Sequence, residues 1–345
     1  MADHSVLIVG NFLSGHVGVR GVCEELAVRL QQVGWSVITT SDRASKVARM
    51  YDMVRTAWAR RRNYSVAQVD LFSGPAFLWG EAVCHTLRAA GKPFVITLHG
   101  GSLPEFAAQH EVRCRKLLRS AAAVTAPSNF LREAMRRFRD DVVVLPNALE
   151  IANYPFRLRS QARPNLVWVR AFDAIYNPVL AVRAMRIVTS QFPEARLIMV
   201  GPDKGDGTFG ATRAEALKLG LQDRVEFTGR VPKQELAASI NRGDIFLNTT
   251  NIDNTPVTVM EAMACGACVV STNVGGIPYI LKQEENALLV PPGNPEAMAA
   301  AIIRLIQAPE LAARLSRAGR TTAEQIDWPV VLNRWIHLLS SHARG

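Results

Sequence analysis

The sequence predicts an α/β protein of two doubly wound, Rossmann-like domains facing across a cleft. Two observations predict it. Short runs rich in β-branched residues alternate with stretches of helical period, and the alternation begins again after an Arg- and Pro-rich segment, NYPFRLRSQARPN, at 153–165. In such folds the ligand sits at the carboxyl ends of the strands.

The first six strands are read at SVLIVG (5–10), WSVITT (35–40), QVDLFS (68–73), PFVITLHG (93–100), AAVTAPS (122–128) and VVVLPN (142–147), with helical patterns such as VCEELAVRLQQVG between them. The second six are LVWVRA, RLIMVG, RVEFTG, DIFLNT, CVVST and ALLVPP. The predicted domains span 1–155 and 164–325. A final helical segment occupies 326–345.

A chain of 345 residues suggests two domains at about 150 residues each. With 48% hydrophobic and 20% charged residues, it has the balance of a soluble globular protein rather than a disordered or fibrous one. The N-terminus lacks a secretory-leader pattern, and no run approaches the roughly 18 apolar residues of a membrane span. A cytoplasmic location is therefore expected. Five scattered cysteines agree with it. Cys265 and Cys268 form a lone Cys-x-x-Cys, which is half a zinc site; redox motifs of this kind open helices, whereas this one closes one.

Residues 1–165 carry 22 Lys and Arg against 13 Asp and Glu, a net of +9; the remainder carries 18 against 17, a net of +1. The basic half either faces something anionic or keeps the chain soluble. Nucleic acid is a poor candidate, because zinc-finger spacing, a helix-turn-helix signature and strand aromatics interleaved with Arg are all lacking. An anionic membrane surface or an acidic substrate fits better. In KVARMYDMVRTAWARRR (46–62), Val47, Met50, Tyr51, Val54 and Trp58 share one helical face, with Lys46, Arg49, Arg60 and Arg62 off its centre. That face suits the surface of an anionic membrane, at the inner face of the plasma membrane, where a lipid-linked acceptor would be met; alternatively it packs on the sheet.

The stretch NIDNTPVTVMEAMACG (251–266) is the most informative. DIFLNTT reads as a buried strand and NIDN as the loop at its carboxyl end; Thr255 and Pro256 cap and start a helix that Gly266 ends. Glu261 then lies in the first two turns of a helix whose amino end suits a phosphate. Asp253 on the loop and Glu261 on the helix suit two hydroxyl-bearing parts of one ligand. The alternative is that Asp253 caps a turn and Glu261 makes a buried salt bridge.

These residues carry a resemblance. Residues 219–292, LGLQDRVEFTGRVPKQEL…DIFLNTT…EAMACG…VVSTNVGGIP…ALLVPPG, resemble the donor-binding half of the retaining nucleotide-sugar glycosyltransferases of family 4, which have the GT-B fold. VLIVGNF…ELAVRLQQVGWSV extends the likeness to the front of the chain. The resemblance implies a carboxylate on the donor sugar and a second, eight residues on, on the nucleotide ribose. The second is Glu261; Asp253 replaces the usual Glu of the first. The glycine-rich loop of the family reads NTPVT here, which puts Asn254, Thr255, Val257 and Thr258 beside the donor. Of the Arg and Lys expected to neutralise the diphosphate, Arg170 is kept in WVRAFDAIYNP, while Ile175 or Tyr176 stands at the Lys position. Lys204 in GPDKGDG is the candidate substitute, its alternative being a plain turn.

The resemblance further implies that His99, in TLHGG, lies near the anomeric carbon. Gly275 and Gly276 of NVGGIP would let backbone approach the cleft, and Gly15 and Gly18 of NFLSGHVGVRG loosely match the acceptor loop. DWPVVLNRWIHLLSSH resembles the last helix of the fold, crossing back to the first domain with Trp328 and Trp335 as packing residues. The implied reaction moves a sugar from a nucleotide-diphosphate sugar, with retention, to a lipid-linked, polysaccharide or small-molecule acceptor. It requires no cofactor; with no Asp-x-Asp in the chain, metal independence is expected. The alternatives are a nucleotide-sugar epimerase of the same fold and a non-catalytic nucleotide-sugar-binding protein or partner subunit.

Overall fold

The computed structural model of the chain describes residues 4–17, 20–100 and 102–343. It divides into two compact units, residues 1–147 with 329–345, and residues 148–328. The segment 148–163, expected to end the first domain and link it to the second, belongs to the second unit. Trp328 and Trp335 are both buried.

In the first unit six parallel strands, β1 (Ser5–Val9), β2 (Ser36–Thr40), β3 (Val66–Leu71), β4 (Phe94–Leu98), β5 (Ala123–Ala126) and β6 (Val143–Val144), lie in the order β2-β1-β3-β4-β5-β6. In the second, β7 (Asn165–Val169), β8 (Arg196–Val200), β9 (Val225–Gly229), β10 (Ile245–Asn248), β11 (Cys268–Thr272) and β12 (Leu288–Val290) run β9-β8-β7-β10-β11-β12. That is the order 3-2-1-4-5-6 of a Rossmann sheet, whose direction of winding reverses between β7 and β10.

All twelve expected runs are strands. The third begins two residues earlier than read, because Gln68 is not a boundary: it is buried within the strand, where its amide nitrogen donates to Asp70 Oδ1 and Thr97 Oγ1, both at 2.8 Å, and its Oε1 is left without a partner.

Continuous apolar strands bury both faces. Along β7, Leu166 and Trp168 pack on one side with Leu197 and Met199, while Val167 and Val169 pack on the other with Ile198 and Val200. Each such side chain contributes about 1.5–3 kcal/mol. The first unit is built alike, with Leu7, Val9, Val69 and Ile96 against Met53, Ala57 and Val83.

The helix expected over 46–62 spans Lys46–Ala59, and its buried residues are Arg49, Met53 and Ala57. Of the face read as packing either on a membrane or on the sheet, Val54 packs against the core and Met50 is half-buried, while Val47, Tyr51 and Trp58 are 75%, 68% and 46% exposed. Arg49 is buried because its guanidinium donates to Arg43 O (2.9 Å), Ala44 O (3.0 Å) and Asn11 Oδ1 (2.8 Å). Among the described residues no helix is long and apolar enough to cross a membrane.

Candidate functional site

The reversal between β7 and β10 places two loops side by side. Arg170 follows β7 directly, and Asp253 lies on the loop after β10. Arg170 Nη2 donates to Asp253 Oδ2, and its guanidinium stacks on the Tyr176 ring at 4.8 Å. Their side chains are 15% and 12% exposed, so this is a largely buried ion pair. Burial raises the Asp253 pKa; the Arg170 charge and the Thr255 and Asn254 amides oppose it, and the net shift is upward.

Glycines bring these backbones together. A Cβ on Gly201, whose φ is +150°, would lie 1.7 Å from Arg170 O. One on Gly275 would lie 2.3 Å from Asp253 O, and one on Gly276 2.0 Å from Asn254 O. Gly276 N donates to Asp253 O at 2.7 Å. Gly275 and Gly276 thus admit the Asp253 loop itself, a closer and more specific neighbour than the open cleft expected for them.

The following helix is Val257–Ala264. Thr255 does not cap it: Pro256 holds the cap position, Asp253 Oδ1 accepts from Thr255 N at 3.1 Å, and the Thr255 hydroxyl has no partner. Gly266, with φ +77°, follows the last turn as expected. Glu261 is 4% exposed. Among the described residues it makes no salt bridge, the alternative considered for it; Oε1 accepts from the Tyr154 hydroxyl at 2.7 Å. Burial raises its pKa, against the Tyr154 hydrogen bond and the charges of Lys233 and Arg170.

Among the described residues five buried side-chain nitrogen or oxygen atoms lack a hydrogen-bond partner, and three of them are Arg170 Nε, Thr255 Oγ1 and Thr258 Oγ1. These are donors gathered at the start of one helix, where backbone N–H groups also point outward. Asn254 and Val257 flank them, Val257 being the first helical residue. Lys204 lies exposed on the loop after β8, its backbone N donating to Phe172 O at 3.3 Å.

In the first unit His99 follows β4 and donates from Nε2 to Asp70 Oδ1 at 2.9 Å, with its ring stacked on Phe72 at 4.8 Å. Burial lowers the His99 pKa, but the Asp70 charge and hydrogen bond outweigh it and the net shift is upward; Asp70 is shifted down against its own burial. Gly15 lies exposed in a short helix, Ser14–Val17, with open space around it. Gly18 lies outside the described residues. Glu24 ties the ends of this loop, accepting from Ser14 N at 2.9 Å and Gly21 N at 2.6 Å.

Sequence reasoning missed Tyr154, Tyr176 as the platform under Arg170, Lys233 as a charge acting on Glu261, and Asp70. Only Asp70 left a signal, as an acid inside the apolar run QVDLFS.

Two parallel six-stranded sheets with these windings define the GT-B class. The family model described as Glycosyltransferase Family 4 matches residues 16–153, and that described as Glycosyl transferases group 1 matches residues 152–322. Together they span both units, and the chain belongs to the family-4 glycosyltransferases.

It is 26% identical over 280 residues to a D-inositol 3-phosphate glycosyltransferase of Segniliparus rotundus, covering 77% of this chain and 62% of that one. It is 28% identical over 322 residues to a phosphatidylinositol N-acetylglucosaminyltransferase chain of Arabidopsis thaliana, covering 88% and 67%. The chain thus spans only 62% and 67% of the length of these curated relatives. Among solved structures, sucrose-phosphate synthase from Thermosynechococcus elongatus superposes with a TM-score of 0.74 at 20% identity, over 97% of this chain and 98% of that one. HepE from Anabaena, in complex with UDP and glucose, gives 0.73 at 18% identity, over 98% and 99%. At such identities the likeness is one of fold.

Proposed function

We propose that this chain transfers a sugar from a nucleotide-diphosphate sugar to an anionic acceptor, with the anomeric configuration retained and without a metal ion. The observation that carries the reading is the set of orphaned donors, Arg170 Nε, Thr255 Oγ1 and Thr258 Oγ1, at the amino end of Val257–Ala264. Buried donors without acceptors are costly alone and are satisfied by an acceptor-rich anion, and a diphosphate is one. Glu261, with one oxygen on Tyr154, accepts ribose hydroxyls with the other. When a phosphate takes Arg170, Asp253 is released to the hydroxyls of the sugar. The bond from the anomeric carbon to the diphosphate oxygen breaks, the acceptor hydroxyl bonds to that carbon on the same face, and its proton passes to a leaving phosphate oxygen. Arg170 and the helix amides hold the departing charge.

The name of one relative carries D-inositol 3-phosphate and that of the other phosphatidylinositol, and residues 1–165 carry a net +9 here, which supports an inositol phosphate, free or lipid-linked, as the acceptor class. The exposed Val47, Tyr51 and Trp58, beside a groove lined by Met50, Leu78, Arg88 and Lys116, support peripheral docking on an anionic membrane. Sedimentation with vesicles tests it: binding that ignores the fraction of anionic lipid rules the docking out.

Ligand-observed NMR with UDP, GDP and ADP, without divalent metal, tests the donor site on wild type and Glu261→Ala. HepE binds UDP, which makes UDP the first to try. Selective binding lost in the variant supports the reading; no binding by either protein removes it in favour of a non-catalytic role.

A further inference from the structure

We propose that Tyr154 is a positioning residue of the donor site: its hydroxyl engages one carboxylate oxygen of Glu261, so that the other is presented to the nucleotide ribose as a fixed acceptor. This rests on the assignment of Glu261 to the ribose. Tyr154 is 4% exposed, and its hydroxyl donates to Glu261 Oε1 at 2.7 Å.

The backbone carrying Tyr154 is fastened on both sides. Before it, Leu149 N donates to Ile326 O at 2.8 Å and Ile151 N to Asp327 Oδ1 at 3.1 Å. At Tyr154, Arg320 Nη1 donates both to its carbonyl (3.1 Å) and to Ala264 O (2.8 Å), the last residue of the Glu261 helix. After it, Arg157 N donates to Cys265 O at 3.1 Å, and the Phe156 ring lies where a Cβ on Gly266 would meet it at 2.6 Å.

A phenol on a fixed backbone has two torsions, both restrained by burial, whereas Glu261 has three of its own. The stiff partner therefore sets the place of the flexible one. Tyr154 also opposes the burial that raises the Glu261 pKa, so its hydroxyl favours the ionised, accepting form as well as aligning it. Packing alone would be served equally well by Phe.

The test is isothermal titration of wild type and Tyr154→Phe with UDP, GDP and ADP at pH 7.5 and pH 5.5, with melting temperatures in parallel. The expected result is about tenfold weaker binding at pH 7.5, widening at pH 5.5, with little change in melting temperature. Equal affinity in both proteins, or an equal loss at both pH values accompanied by a lowered melting temperature, overturns the proposal while leaving the donor site standing. Should wild type bind none of the three nucleotides, the donor reading and this inference fall together. Arg320→Gln, which loosens the segment without touching Glu261, is expected to weaken binding two- to fivefold at both pH values; unchanged binding there overturns the claim that the fastened backbone places the hydroxyl.

Discussion

Asp70, near the carboxyl end of β3, and Asp253, on the loop after β10, each accept from a nitrogen-bearing side chain, His99 and Arg170, and they differ in what is left unpaired around them. Around Asp70, one carboxylate oxygen takes both His99 and Gln68, and the orphan is an acceptor, Gln68 Oε1. Around Asp253 the orphans are donors, on Arg170, Thr255 and Thr258. The pKa directions follow the same divide: Asp70 is pulled down by its partners, whereas burial wins at Asp253. A carboxylate with its needs met stabilises a scaffold; one set among unmet donors marks a place prepared for an anion.

Substitutions at the two acids and their neighbours break or sharpen this contrast. Arg170→Ala is expected to lower kcat/KM by about 10²–10³, as the loss of a preorganised charge-stabilising donor does; a fall below tenfold in steady-state kinetics would mean that the diphosphate is held elsewhere. Gly276→Ala drives a methyl group into Asn254 O, and about 1–3 kcal/mol of stability should go, seen by calorimetry as a melting temperature several degrees lower.

Asp70→Asn should cost on the order of 1–2 kcal/mol, and its pH profile is diagnostic. The lowered Asp70 pKa contributes stability above 3.8 that is lost as pH falls; the raised His99 pKa contributes stability below 6.5 that is lost as pH rises through the folded value. The deficit of the variant should therefore peak between those limits and shrink on either side. A melting-temperature difference that is flat with pH would end the ion-pair account.

Thr258→Val is the smallest and the sharpest. Removing an orphaned hydroxyl should leave the free protein as stable or slightly more so, by about 0.5–1 kcal/mol, while nucleotide affinity falls a few-fold. Opposite signs in thermal denaturation and titration are the signature of a donor kept for a ligand.

The fold was legible because central strands such as β1, β4 and β7 are buried on both faces and read as nearly continuous apolar runs. Glu261 and Arg170 stand out in the sequence because the spacing around them resembles the family's; the structure sets Arg170 on Asp253 and Glu261 on Tyr154. Tyr154 was not: it sits 107 residues from Glu261 in an Arg- and Pro-rich stretch without period, and its role exists only through the tertiary bond. Thr255 looked like a helix cap because threonine favours that place, but Asp253 took the local hydrogen bond and left the hydroxyl for something else. The face of Lys46–Ala59 that carries Val47, Tyr51 and Trp58 has the pattern of a packed one but is exposed; full burial went instead to Met53, Ala57 and Arg49, whose acceptors on Arg43, Ala44 and the distant Asn11 no periodicity reveals.

The backbone contacts at Gly201, Gly275 and Gly276 bear on how the protein can be re-engineered. The carbonyls of Arg170, Asp253 and Asn254 each lie where one of these glycines leaves no room for a methyl group, so the reach of Asp253 is fixed by main chain rather than by a compliant loop. A library aimed at a new donor sugar should hold those three glycines constant and vary Asn254, Thr255 and Val257. If Asp253 meets the sugar as proposed, lengthening it to Glu carries the carboxylate one methylene further from a main chain that the glycines hold in place, so a change of specificity would need the opposing glycine loop to be rebuilt with it.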